Sequence, residues 1–247
     1  MDDFYYDISK PGSLTGIKPM LRYSKFTGKQ VKEFLSGQPA YTLHRPIRRR
    51  FERRKTFSKG IGDLFQLDLA DMSNIARDND NYRYILTVID VFSKYAFAVP
   101  LKTKSAKEVT DAFENNVLSV KTCRLLQGDK GSEFSNSIFQ NMLKRHSIHF
   151  YTSENEDIKA AVVERFNRTL KERIYRYFTY KNTNRYVDVL PQIVKSYNAS
   201  WHRSIGMAPD QVTAKNQKRV AEKMFPIKPK TFEWKLKVGD PVRMSLA

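Results

Sequence analysis

Three carboxylates in this 247-residue chain have types and settings suited to phosphoryl transfer. Asp68 lies in LFQLDLADM and Asp129 in LLQGDKGSEF, each within or just after an apolar run that reads as a strand. Glu164 lies in DIKAAVVERFNRTLKER, residues 157–173, which reads as a helix. A phosphodiester is negatively charged and repels nucleophiles. Two Mg²⁺ ions about 3.5–4 Å apart can ionise the attacking oxygen and stabilise the leaving one. Mg²⁺ prefers hard oxygen ligands and keeps some waters, so a few carboxylates suffice. Asp68 points away from the apolar face formed by Phe65, Leu67 and Leu69, and a lone charge on a buried sheet needs a partner or a metal. Asp129 follows Gly128 with Gly131 close behind, an exposed elbow suited to a ligand. Asp71, Asp90, Glu133, Glu154, Glu156 and Asp157 compete with these, and chemistry alone does not choose the third carboxylate.

The helix that carries Glu164 is amphipathic. Val163, Phe166, Leu170, Ile174 and Tyr177 recur at spacings of three and four, giving a buried stripe. Glu164, Arg168 and Lys171 share a second face. A surface salt-bridge ladder would use the same spacing, and for an isolated helix it would be the better explanation.

Charge is distributed unevenly. The formal net charge is +18. Residues 1–60 carry 14 Lys/Arg and 5 Asp/Glu, residues 61–150 carry 11 of each, and residues 151–247 carry 19 and 10. A balanced centre between cationic flanks fits a body that holds metals and arms that hold a polyanion. The densest run, HRPIRRRFERRKTFSK at 44–59, has eight Lys/Arg against one acid. It reads either as a solvated linker or as an arm laid on phosphates, and arginine's bidentate geometry favours the second. An acidic membrane surface could attract such charge too, but the basic residues do not follow a lipid-facing amphipathic helix. No apolar run approaches the ~18 residues of a membrane span, and MDDFYYDISK lacks a signal-peptide pattern. The single cysteine, Cys123, excludes an internal disulfide or a Cys-paired zinc site and reads as core. These features predict an intracellular protein. Nucleophile-elbow and Gly-rich phosphate-loop motifs are absent.

Alternation predicts three antiparallel strands at 64–72, 82–91 and 95–101. A helix over 105–118 follows, opened by a capping box from Ser105 to Glu108. Next come a strand at 124–127, a helix at 135–146 and a strand at 148–152. Helices are expected at 27–37, 184–198 (with Pro191 a kink or boundary) and 208–216. The order βββαβαβ followed by helices implies an α/β fold, a mixed five-stranded sheet with helices on both faces.

Five stretches carry a resemblance: QLDLADM (66–72), YILTVIDVFSKYAFAVPLKTKSA (84–106), GDKGSEFSNSIFQ (128–140), KAAVVERFNRTLK (159–171) and YNASWHRSIGMAP (197–209). The chain resembles the catalytic core of a DDE integrase, of the retroviral and retrotransposon type with a ribonuclease H-like fold. Its wording looks closest to integrases of self-synthesising DNA transposons, the Maverick/Polinton type. The resemblance implies that Asp68, Asp129 and Glu164 bind two Mg²⁺ ions, with Mn²⁺ as a substitute. It implies DNA contacts by Arg168 and Lys171, beside the arm residues Arg48, Arg49, Arg50, Arg53, Arg54 and Lys55 and the site neighbour Lys130. It further implies a homo-oligomer on element ends and target DNA, working in the nucleus of a eukaryotic host. The expected activity is 3′-end processing and strand transfer. A retired integrase-derived DNA-binding protein and a plain ribonuclease H-like nuclease are the alternatives. Tyr197, Asn198, His202 and Pro209 match the family as structural residues, while His146 and His149 could be surface or core. Three divisions are expected: a basic N-terminal region at 1–60, the core at 61–215, and at 216–247 a linker with the start of a small β-barrel. There are departures from the retroviral pattern. The 34 residues between Asp129 and Glu164 are one fewer than in that pattern, DKG replaces DNG, and no His/Cys zinc module is present.

Overall fold

The structure is a computed structural model that describes residues 1–44, 56–152 and 160–226. Among these, five strands form one sheet in the order β3-β2-β1-β4-β5. They are β1 (Leu64–Asp71), β2 (Tyr84–Asp90), β3 (Ala96–Leu101), β4 (Leu125–Gly128) and β5 (His149–Thr152). β1, β2 and β3 run antiparallel, whereas β4 runs parallel to β1 and β5 parallel to β4. Among the described residues, ten helices accompany the sheet: α1 (Asp2–Tyr5), α2 (Ile17–Tyr23), α3 (Gly28–Ser36), α4 (Pro39–Thr42), α5 (Ala106–Phe113), α6 (Ser132–Ser135), α7 (Ser137–Arg145), α8 (Ala161–Lys181), α9 (Leu190–Ala199) and α10 (Gln217–Met224).

Period-two alternation sorts the sheet's residues between two cores. Phe65, Leu67, Leu86 and Val88 face one side and pack with Val109, Phe113, Phe139 and Met142 of α5 and α7. Cys123 is buried in the same cluster. Ala70, Ile85, Ile89 and Ala96 belong to the opposite core, with Val163, Phe166, Leu170 and Ile174 of α8 and Leu190, Ile193 and Tyr197 of α9. Helices thus cover both faces, as the element order implies. No described helix is long and apolar enough to cross a membrane.

Three local expectations change. Residues 208–216 form only a 3₁₀ turn at Pro209–Gln211. There, Asn216 Oδ1 accepts from Thr213 N and its Nδ2 donates to Gln211 O, so side-chain bonds replace helical ones. The helix expected from residue 184 begins at Leu190, with Pro191 in its first turn. The preceding backbone is held by buried Asn79, whose Oδ1 accepts from Tyr186 N at 2.7 Å and Val187 N at 3.2 Å. The linker expected from residue 216 opens with α10. Val220 and Met224 of α10 pack with Phe92, Ile205, Met207 and Val212.

The N-terminal region is more built than its composition suggests. α3 opens with a capping box formed by Thr27 and Gln30, and α1, α2 and α4 join it around Tyr5, Leu14, Met20, Val31 and Leu35. Tyr177, the last residue of the predicted stripe on α8, packs against this cluster rather than the sheet core. Two buried arginines of α8 make the joint. Arg176 donates to Leu14 O at 2.5 Å. Arg173 donates to Ser196 Oγ and Ser200 Oγ, both at 3.3 Å. Burial pushes the Arg173 guanidinium down to about 10, still well above neutral pH.

Candidate active site

Asp68 is carried by β1 on the face opposite Phe65 and Leu67, so it looks toward α8. Its Oδ1 accepts from Leu69 N at 2.8 Å, and its Oδ2 accepts from Asn167 Nδ2 at 2.6 Å. Asn167 lies one helical turn past Glu164 on α8, so the strand-borne carboxylate is tied to the helix that bears the other. Asn167 is a site residue that the sequence alone did not single out, although its i+3 spacing from Glu164 was a usable signal. Among the described residues, its Oδ1 is buried without a hydrogen-bond partner.

Burial raises the Asp68 carboxyl to about 6, and the negative charges of Asp129 and Glu164 push it the same way. The Leu69 N–H and the Lys171 ammonium oppose the rise. Asp68 therefore feels both the loop-borne and the helix-borne carboxylate. Asp129, at the exit of β4, is exposed, and its Oδ1 accepts from Gly131 N at 3.1 Å. Gly128 before it lies so close to Phe150 that a Cβ would stand 3.1 Å from the ring. Glu164 is exposed in the first turn of α8. Among the described residues, no group of three or more His, Cys, Asp or Glu stands close enough to hold one metal ion. In chemical type the donor set fits a hard divalent cation. It is all oxygen, and Asp68 carries a repulsion that such a cation would relieve.

Two of the competing carboxylates have other work. Asp90 is fully buried and accepts from Ser93 Oγ at 2.6 Å and Phe92 N at 3.0 Å, which shapes the β2–β3 turn. Asp71 accepts from Ser73 N at 2.8 Å, and bonds from Ser73 hold its carboxyl below the usual range. Glu133 sits in the first turn of α6. Glu154, Glu156 and Asp157 lie outside the described residues, as do the arm residues Arg48, Arg49, Arg50, Arg53, Arg54 and Lys55 and the tail 235–247.

Of the basic residues expected at the site, Lys130 and Arg168 are exposed. Lys171 is half-buried and donates to Asp71 O at 3.3 Å, which places its ammonium by the end of β1. The other singled-out residues are structural in their contacts. Asn198 pairs with edge strand β3 as another strand would, accepting from Ala96 N and donating to Ala96 O, each at 2.9 Å. Tyr197 packs on Phe166. His202 forms a bridge with Met207, and burial holds its imidazole down at about 4, so it is neutral at pH 7. Pro209 opens its 3₁₀ turn. His146 pairs with Glu114 Oε1 at 2.7 Å at the surface, and His149 is exposed.

Two further buried polar residues share the site's face. Gln66 and Gln127 lie directly opposite each other on β1 and β4, each two residues before an aspartate of the site. Gln66 Nε2 donates to Gln127 Oε1 at 2.8 Å. Gln66 Oε1 accepts from Val162 N at 2.9 Å and Val163 N at 3.1 Å, at the start of α8.

The chain has counterparts among known proteins. The chain is similar to a putative uncharacterized transposon-derived protein of Caenorhabditis elegans, with 35% identity over 175 residues, 70% of this chain and 59% of that protein. It is 33% identical over 112 residues to a retrovirus-related Pol polyprotein from transposon 412 of Drosophila melanogaster, 44% of this chain and 9% of that polyprotein. The chain thus spans about three fifths of the nematode relative and a small part of the polyprotein. In fold it is similar to the HTLV-2 integrase catalytic core domain, a structure solved in complex with magnesium. The TM-score is 0.54 at 16% identity, covering 63% of this chain and 99% of that one. The sheet and its helices are therefore a ribonuclease H-like fold, and residues 62–157, with Asp68 and Asp129 among them, match the integrase core domain.

Proposed function

We propose that this chain is the catalytic part of a DNA integrase or transposase that trims the 3′ ends of a mobile element and joins them to target DNA. The observation that carries the reading is the state of Asp68. It is half-buried on β1, tied to α8 by Asn167, and opposed in charge by both Asp129 and Glu164. A protein keeps such repulsion where a cation is to offset it. Asp68, Asp129 and Glu164 would hold two Mg²⁺, or Mn²⁺ in its place, and the metal would supply Lewis acidity at the reacting phosphate. Arg168, Lys171 and Lys130 bind the DNA backbone around the scissile phosphate, joined by Arg48, Arg49, Arg50, Arg53, Arg54 and Lys55 of the arm. Asn167 orients the Asp68 carboxylate through Oδ2, so that the charge it presents is fixed before substrate arrives. In trimming, water attacks the phosphodiester and a 3′-OH leaves on the element end. In joining, that 3′-OH attacks a target phosphodiester, forms the new P–O bond and releases a target 3′-OH.

The finer reading follows from the same residues. The element is of the Maverick/Polinton type, the active form is a homo-oligomer on DNA, and the site of action is the nucleus. HTLV-2 integrase cores have been solved in dimeric and trimeric forms, which supports an oligomer. The divisions at 1–60, 61–215 and 216–247 serve as the arm region, the reacting core and a C-terminal appendage. The test is an assay with duplexes carrying the element's own ends and a plasmid target, in Mg²⁺ and in Mn²⁺. Trimmed and joined products support the reading. Cleavage without joining makes the protein a nuclease, and binding without either makes it a retired DNA-binding protein.

A further inference from the structure

Among the described residues, the helix that carries Glu164 has no side-chain cap at its N-cap position. Four N–H groups at a helix N-terminus have no partner within the helix and need acceptors. The residue before α8 is Ala160, whose side chain has no oxygen, and no side-chain cap is made there. The acceptor comes from 96 and 97 residues away, as Gln66 Oε1 takes both Val162 N and Val163 N, the two amides directly before Glu164. The other end of the same amide, Nε2, is bonded to Gln127 on β4. Gln66 is completely buried, so these bonds are made away from water, where the loss of a partner costs most.

The placement follows from strand geometry. Side chains two apart on a strand share a face. Gln66 and Asp68 therefore point the same way from β1, and Gln127 on β4 lies directly opposite Gln66, with Asp129 just beyond the strand's end. One amide thus joins all three elements that present the site's carboxylates. The one residue between Gln66 and Asp68 fixes how far the start of α8 can stand from the Asp68 carboxylate.

We propose that Gln66 is a positioning residue for the reaction, setting the separation of Glu164 from Asp68 and Asp129 through the Val162 and Val163 amides. The proposal rests on the functional reading above. Gln66→Met keeps the length and bulk of the side chain and removes all three bonds. In the full chain, Q66M should speed hydrogen exchange at the Val162 and Val163 amides at least tenfold. It should weaken Mn²⁺ binding, measured by calorimetry without DNA, at least tenfold. It should also lower kcat for joining while KM for the DNA end stays within twofold. If Q66M does not fold, Gln127→Met carries the test. That change cuts the tie to β4 and leaves the two amide bonds in place, so Mn²⁺ affinity should fall with exchange at Val162 and Val163 unchanged. A folded variant with faster exchange at those amides but parental Mn²⁺ affinity and kcat would make the cap purely structural and overturn the proposal. A parent protein that binds no Mn²⁺ and joins no ends would overturn the functional reading, and the proposal with it.

Discussion

Asp68 makes a prediction about stability that is separate from catalysis. Its folded-state pKa, about 6, lies above the ordinary 3.8. The native state therefore binds this proton more tightly than the unfolded chain does. The resulting stabilisation is complete below about pH 3.8 and is lost as the pH rises through 6. At pH 7.5 the ionised carboxylate is a cost, at most about 2 kcal/mol after allowance for the solvent that still reaches it. Asp68→Asn should remove that cost. Turning over the Asn167 amide would bring its unpartnered Oδ1 to face the new Nδ2. Denaturant melts should show D68N more stable than the parent at pH 7.5, with the difference vanishing near pH 3.5. A D68N protein less stable at pH 7.5 would mean the carboxylate is not strained. The same scale separates ligand from bystander. Glu164→Gln should lower both trimming and joining more than about a hundredfold, beyond the usual effect of residues that only support a metal ligand. Asp71→Asn should leave both near parental levels, because that carboxylate serves its own turn. DNA binding should persist in both, as read by fluorescence anisotropy.

At the scale of elements, the edges and ends of the sheet are held by side chains from distant helices. β3 is an edge strand, and an edge leaves backbone N–H and C=O groups without a ladder partner. Asn198 of α9 supplies both bonds to Ala96, so β3 is capped locally by an amide rather than by a sixth strand. Asn198→Ala would leave two buried backbone groups unpaired. The cost should be about 2–4 kcal/mol, measured as a drop in unfolding free energy. Asn198→Asp keeps one acceptor and should fall between. Equal stability of N198A and the parent would show that water replaces the amide. The N-terminal helices are held in the same manner, by Arg176 reaching Leu14 O across the joint.

At the scale of the molecule, the uneven charge bears on the DNA binding proposed above. His44, from which the arm departs, is anchored on α8 by a 3.2 Å contact with Thr179 Oγ1 and by stacking on Tyr175. Replacing Arg48, Arg49, Arg50, Arg53, Arg54 and Lys55 by Gln should weaken binding to all DNA sequences alike. It should also reduce the slope of log K against log salt by about 0.9 for each phosphate that the arm no longer neutralises. Salt titrations on two unrelated duplexes would read both effects. An unchanged slope would leave the arm as a linker.

The sequence by itself determined the sheet and the identity of its faces. Local alternation dictates which side of a strand is apolar, so Phe65 and Leu67 set Asp68 on the far side before any fold is known. Glycine spacing marked the elbow at Asp129, and three-and-four periodicity gave α8 its buried stripe from Val163 to Ile174. The charge asymmetry that points to DNA is a property of composition alone. Tertiary structure alone decided what depends on contacts between distant segments. Gln66 looks like an ordinary strand residue until it meets the uncapped start of α8, because a cap supplied from 96 residues away leaves no local pattern. Arg173 and Arg176 carry charges that local pattern does not assign to a core, yet the N-terminal helices and α9 bury them. Asn79 holds the backbone where periodicity would have begun α9 earlier, and Asn216 leaves only a turn where periodicity predicts a helix, since a side-chain amide that bonds backbone replaces helical bonds. The strain on Asp68 is likewise tertiary. It arises from burial under α8 and from two charges brought near by separate elements, and no window of sequence contains all three.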